Sequence, residues 1–129
     1  VVHALKRNSS VLGDRDGLVV EDRVLSHRAL GAAVAGLAYR LRALGAGGER
    51  VAVIMPNGLE TGVALLAAMA AGAQAAPVNP GFTDPEVLRA LRDAEPRIVV
   101  CRADWAERAR KLAPEAGVTN VVVLGEGGE

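Results

Sequence analysis

The side chains able to do chemistry are few and scattered along this chain of 129 residues. There is one cysteine, Cys101, and there are two histidines, His3 and His27. A thiol attacks only as the thiolate, which needs a neighbouring base or cation. Cys101 closes the apolar run "RIVVC", and neither histidine adjoins it in sequence, so it reads as a buried structural thiol. A lone cysteine permits no internal disulfide and no cysteine-built metal site, which fits a reducing, cytoplasmic setting. His27 stands beside a helix start and reads as a surface residue. The carboxylate pairs Asp14 with Asp16 and Glu21 with Asp22 could share acid and base roles, yet "GDRDG" and "EDR" have the composition of solvated turns. Trp105, at helical spacing from Ala109 and Leu112, reads as a core anchor.

Phosphate-binding patterns are equally sparse. A dinucleotide turn requires G-x-G-x-x-G between a strand and its following helix, where backbone amides meet the pyrophosphate. Gly45, Gly47 and Gly48 precede a strand, and Arg50 stands where the third glycine belongs. No G-x-x-x-x-G-K-[ST] occurs. A phosphoacceptor site would gather acidic residues at strand ends, and those ends carry Met55, Asn79 and Cys101. No residue is therefore assigned as catalytic, cofactor-binding or metal-ligating. With 15 basic and 15 acidic residues and one each of Trp, Tyr and Phe, the chain offers neither an electrostatic nor a stacking surface for nucleic acid. Its longest apolar run, residues 62–73, is too short to span a bilayer, and its first residues do not read as a basic-then-apolar signal sequence.

The elements that would position these residues are plainer. Residues 1–13 read as a short helix with Val2, Leu5 and Val11 inward, and "LVVEDRVL" as a hairpin turning at residues 21–23. Ser26 caps a helix whose stripe is Leu30, Val34, Leu37, Leu41 and Leu44, spaced by three and four. Gly45 ends it, and "VAVIM" is a strand apolar on both faces. The helix from Leu59 to Ala71 is apolar all round. It is followed by the strand "QAAPVN", the helix "TDPEVLRALRDA", the strand "RIVVC", the helix "DWAERARKLAP" and the strand "NVVVL". Alternation at this spacing predicts an α/β domain, a mostly parallel sheet with helices on both faces. Within "AAMAAGAQAAPVNPGFTDPE", Gly72 closes a helix, Pro77 falls near a strand end, Pro80 bars further helix, and Thr83 with Glu86 forms a capping box. A single small sheet covers only one side of the Leu59 to Ala71 helix, so further domains or a second copy are expected to cover the rest.

In order and spacing, residues 25–100 resemble the N-terminal region of the adenylate-forming enzymes, in particular acyl-CoA synthetases. The opening Leu25-Ser26-His27-Arg28-Ala29-Leu30 is similar to that family's Leu-Thr/Ser-Tyr-x-x-Leu, with His27 replacing the aromatic residue. The strand ending in Pro56-Asn57 and the segment Ala71-Gly72-Ala73 to Pro77-Val78-Asn79-Pro80 follow the same pattern. Ala29 stands where relatives often have Glu, so the capping box usual at that helix is lost. The Ser/Thr/Gly-rich loop ending in Pro-Lys, the Tyr-Gly-x-Thr-Glu segment, the ribose-binding Asp and the C-terminal catalytic Lys do not occur.

The resemblance implies that residues 1–129 are an N-terminal α/β subdomain of a longer multi-domain ligase. The parent would use ATP, Mg and CoA, forming acyl-AMP from a carboxylic acid and transferring the acyl group to CoA. This chain alone is expected to be inactive and to bind no cofactor, its partners being the remaining domains of the ligase. Two other readings stand beside it: a flavodoxin-like module binding a small ligand near Met55-Pro56-Asn57 and Asn79-Pro80, and a non-catalytic interaction domain using the apolar helix.

Overall fold

The structure is a computed structural model and describes residues 2–20 and 23–125. Helix α1 (Val2–Val11) leads into β1 (Asp16–Val20) and β2 (Arg23–Ser26), which pair antiparallel as a separate two-stranded sheet. Helix α2 (His27–Ala43) begins directly at Ser26, whose hydroxyl accepts from the Ala29 N–H at 3.1 Å. With alanine at that third position no side chain returns the bond, and only half of a capping box forms. The remainder alternates: β3 (Arg50–Ile54), α3 (Leu59–Ala70), β4 (Gln74–Val78), α4 (Asp84–Ala94), β5 (Ile98–Arg102), a 3-10 turn at Ala103–Trp105, α5 (Ala106–Glu115) and β6 (Asn120–Leu124).

The main sheet has four strands in the order β4-β3-β5-β6, parallel at every pairing. Its two faces are sorted by the period of two inherent to a strand. Val51, Val53, Ile98, Val100, Val122 and Leu124 face α2 and α3, while Ala52, Ile54, Val99, Cys101 and Val123 face α4 and α5. This is why β3 and β5 lack polar alternation: both of their sides are covered, whereas β4 at the margin is mostly half-buried or exposed. The predicted helix stripe is in place, with Leu30, Val34, Leu37 and Leu41 buried and Leu44 half-buried.

Helix α3 is covered mainly by the chain itself. It lies against α2, the sheet and the hairpin, and Leu18 of β1 reaches so close that a Cβ on Gly62 would stand 2.9 Å from its Cδ2. Leu65 and Leu66 are half-buried, and Met69 stays exposed. One expectation needs correction. Val11 does not face inward but is 72% exposed, because α1 ends there and only Leu5 of the predicted inward set packs on the core among the described side chains.

At Gly72, φ is +78°, and the Ala73 N–H bonds back to the Ala68 carbonyl while the Gly72 N–H bonds to Met69. That double closure satisfies carbonyls a helix end leaves open, and α2 and α5 end the same way at Gly45 and Gly117. Helix α4 instead ends on Glu95 at φ +49°. Its start carries the complete Thr83–Glu86 capping box.

Candidate functional site

Parallel strands deliver their carboxyl ends to one edge, and a crevice opens there where successive connections leave a strand on opposite sides. That point lies between β3 and β5, whose onward connections run to β4 and to β6 on opposite flanks. Met55, Pro56 and Asn57 leave β3 at this edge. Strand β4 ends beside it, Val78 opposite Ile54, and brings Asn79 and Pro80 to the same place. Two of the segments the sequence singled out therefore meet. Cys101 does not join them: β5 continues to Arg102, and the thiol is fully buried on the α4–α5 face.

Several polar groups at this edge hold backbone. Asn79 Oδ1 accepts from the Gly81 N–H at 2.8 Å, a local turn bond. Thr61 Oγ1 donates to the Pro56 carbonyl at 2.5 Å. From the start of α5, Trp105 Nε1 donates to the Pro80 carbonyl at 3.2 Å, and Arg108 Nη2 donates to Phe82 O at 3.0 Å and to Asp84 Oδ1 at 2.6 Å. The Arg108 guanidinium also lies 4.6 Å over the Trp105 ring, a cation–π arrangement. Its hydrogen bonds hold the Asp84 carboxyl below the ordinary range, with Coulombic help from Arg108 and Lys111. Residues 80–84 are thus clasped to α5. Sequence reading missed Arg108; its one local signal is a position three residues after the only tryptophan, and its partners lie more than twenty residues away.

Beside this edge lies a cavity of about 510 Å³ between the hairpin, α2, the start of α3 and the end of β6. Leu37, Leu59, Val63 and Leu124 give it an apolar lining, and Arg23 and Glu60 stand in its wall, paired at 2.9 Å. The Arg23 hydrogen bond lowers the Glu60 pKa, and the charge of Arg102 adds to that. Arg102 in turn pairs with Asp104 at 3.1 Å. A carboxylate whose pKa is lowered by a bonded arginine is a weak general base at neutral pH, so the Arg23–Glu60 pair orders the edge and does not poise a proton for transfer.

The remaining candidates are dispersed. Asp14 pairs with Arg28 although its side chain is almost wholly in solvent. Asp16 is exposed in β1, and His27 is half-buried at the first turn of α2. Glu21 and Asp22, and the side chain of His3, lie outside the described residues. Among the described residues no three His, Cys, Asp or Glu side chains come together as a metal site. No helix among them is long and apolar enough to cross a membrane.

Residues 5–128 match the family described as AMP-binding enzyme. A 4-hydroxyphenylalkanoate adenylyltransferase of Mycobacterium marinum is 36% identical over 94 residues, covering 67% of this chain and 15% of that protein. The acetyl-coenzyme A synthetase of Thiobacillus denitrificans is 32% identical over 118 residues, covering 87% and 18% respectively. In three dimensions the chain is similar to the inhibitor-bound N-terminal domain of FACL13 from Mycobacterium tuberculosis. The TM-score is 0.78 with 31% identity, over 95% of this chain and 32% of that one. The chain therefore spans less than a fifth of the length of these two curated relatives.

Proposed function

The chain belongs to the AMP-binding enzymes, the adenylate-forming ligases, and we propose that it is the N-terminal α/β unit of an acyl-CoA ligase. The whole enzyme would activate a carboxylic acid with Mg-ATP as acyl-AMP, release pyrophosphate and pass the acyl group to CoA. The observation that carries this reading is the match along residues 5–128, which runs through the whole α/β alternation and not through a single motif. In that enzyme this unit is scaffold. Its carboxyl edge, clasped by Trp105 and Arg108 and braced by the Arg23–Glu60 pair, walls one side of the substrate site.

Glu60, Asp84 and the Gly81 and Thr83 amides at this edge are not available to a triphosphate or a magnesium ion. Their carboxylates are committed to arginines, and their loop amides near Asn79 and Thr83 are met by side chains of the same loop. No step of adenylation is derived from them. Adenylation needs donors and cations fixed around the α-phosphate, and loss of such preorganised groups removes several kcal/mol of barrier lowering, roughly 3–4 for one donor alone. Residues 1–129 by themselves are accordingly expected to be inactive, and their partners are the remaining domains of the ligase.

The test is carboxylate-dependent exchange of labelled pyrophosphate into ATP. The expected result is no exchange by residues 1–129 with short, fatty or aromatic acids, and exchange with some acid by a chain extended through the downstream domains. Exchange by the 129 residues alone would overturn the scaffold reading. A full-length protein that binds ATP yet exchanges with no acid would overturn the ligase reading.

A further inference from the structure

Asn57 and Gly58 lie between β3 and α3, outside both elements. Asn57 is exposed, and neither its side-chain amide nor the Gly58 N–H has a hydrogen-bond partner among the described residues. The bonds that pin this connection fall on carbonyls, Pro56 O accepting from Thr61 Oγ1 and Gly58 O from the Gly62 N–H. Position 58 has no conformational need of glycine. Its φ of 172° is extended backbone, and a Cβ there would come no nearer than 3.8 Å to Glu60 Oε2. What the missing side chain does supply is an unshielded main-chain nitrogen beside an asparagine amide.

The other three asparagines are denied that arrangement. Asn8 is inside α1, where the N–H of Ser9 is held by the helix. Asn79 precedes Pro80, which has no N–H, and its Oδ1 accepts from the Gly81 N–H. Asn120 opens β6 ahead of the β-branched Val121, which is paired with Val99.

We infer that Asn57-Gly58 is a site of spontaneous deamidation. The Gly58 nitrogen attacks Asn57 Cγ, the Cγ–Nδ2 bond breaks, and Nδ2 leaves as ammonia with the proton that the Gly58 nitrogen gives up. Water then opens the cyclic imide. Cleavage of the N–Cγ bond restores the main chain and leaves aspartate, whereas cleavage of the bond to the main-chain carbonyl carbon leaves isoaspartate, with the chain running through Cγ. Either product adds a negative charge where β3 leaves the sheet. Aspartate there adjoins the N-cap of α3, where negative charge is favoured, so the fold accommodates it. Isoaspartate lengthens the link between β3 and α3 and should loosen the Pro56–Thr61 bond. This inference does not depend on the ligase reading.

The test ages the purified chain in mildly alkaline buffer beside a synthetic peptide of residues 51–62. Each asparagine is followed by peptide mapping with mass spectrometry, and isoaspartyl methyltransferase labelling separates the two products. Asn57 in the folded chain is expected to convert at a rate comparable to the peptide's, faster as pH rises, while Asn8, Asn79 and Asn120 stay intact. Gly58→Ala, for which the structure has room, should lose the conversion. Protection of Asn57 in the folded chain while the peptide converts, earlier conversion at another asparagine, or undiminished conversion in Gly58→Ala would each overturn the assignment. Should Gly58→Ala not fold, the comparison of folded chain with peptide decides.

Discussion

Helix α2 contains two interior glycines whose replacement should separate propensity from packing. Gly→Ala inside a helix gains about 0.5–1 kcal/mol, because alanine loses less backbone freedom on folding. At Gly36 an added Cβ meets no heavy atom within 4 Å, so the full gain should be realised. At Gly31 the same methyl would sit 3.1 Å from Ser9 Cβ and Oγ and 4.0 Å from the Leu5 carbonyl. Helix α1 would then have to lift, and overpacking of this kind costs about 1–3 kcal/mol. Gly36→Ala should therefore stabilise the domain, while Gly31→Ala should be neutral or destabilising by up to about 2 kcal/mol after the propensity gain. Urea denaturation of the two single variants measures the difference directly. A double-mutant cycle with Ser9→Gly isolates the contact, which should appear as a coupling of about 0.5–3 kcal/mol, the range for residues that touch. If Gly31→Ala proves as stabilising as Gly36→Ala and shows no coupling to Ser9, then α1 is not seated on α2 at this contact.

Leu37→Ala, in the buried stripe of α2, should cost about 2–5 kcal/mol in a denaturant melt, and a loss below about half a kcal/mol would remove α2 from the core. Glu95→Gly should stabilise by about 1 kcal/mol, read from the same melts, because Glu95 holds a left-handed conformation that a side chain disfavours. Acid should unfold the α4 region early. Asp84 and Glu86 both have pKa values lowered below their ordinary 3.8 and 4.5, the first chiefly by Arg108 and the second by the Thr83 backbone, so their contribution is complete above those ordinary values and is lost as pH falls through the lower folded ones. Melting temperature followed from pH 6 to pH 2 should fall across that acid window, and Asp84→Asn with Glu86→Gln should flatten the fall.

Periodic and local signals in the sequence carried most of the fold. Val51 to Met55 reads as a strand buried on two faces because it lies between two helix layers, and the Thr83–Glu86 box and the Gly72 closure are contained within a few residues of chain. Leu30 to Leu41 announces its buried face through spacing alone. What was not legible depends on contacts between distant residues. Arg108 looks like any arginine on an amphipathic helix until α5 is laid beside residues 80–84. Nothing local states that β5 pairs with β3 and leaves β4 at the margin, or that Leu18 would close over Gly62. Val11 was misplaced because a short helix end obeys helical spacing while lying beyond the reach of the layer beneath it.

The strand order also bears on how the chain can fold. Arg50 pairs with Gln74 and Ile98 with Asn120, so each outer pair is joined through a single helix, whereas Val51 pairs with Ile98 across more than a third of the chain. The sheet thus consists of two βαβ units, β3-α3-β4 and β5-α5-β6, seamed along β3 and β5. Doubling a loop raises its closure entropy by only about 0.6 kcal/mol, so the seam is a modest obstacle in equilibrium terms. Kinetically it is the distant pairing that slows such topologies. Substitutions at Val53 and Val100, which meet across the seam, should therefore act on unfolding more than on folding if the two units assemble first, and on folding if the seam itself is the nucleus.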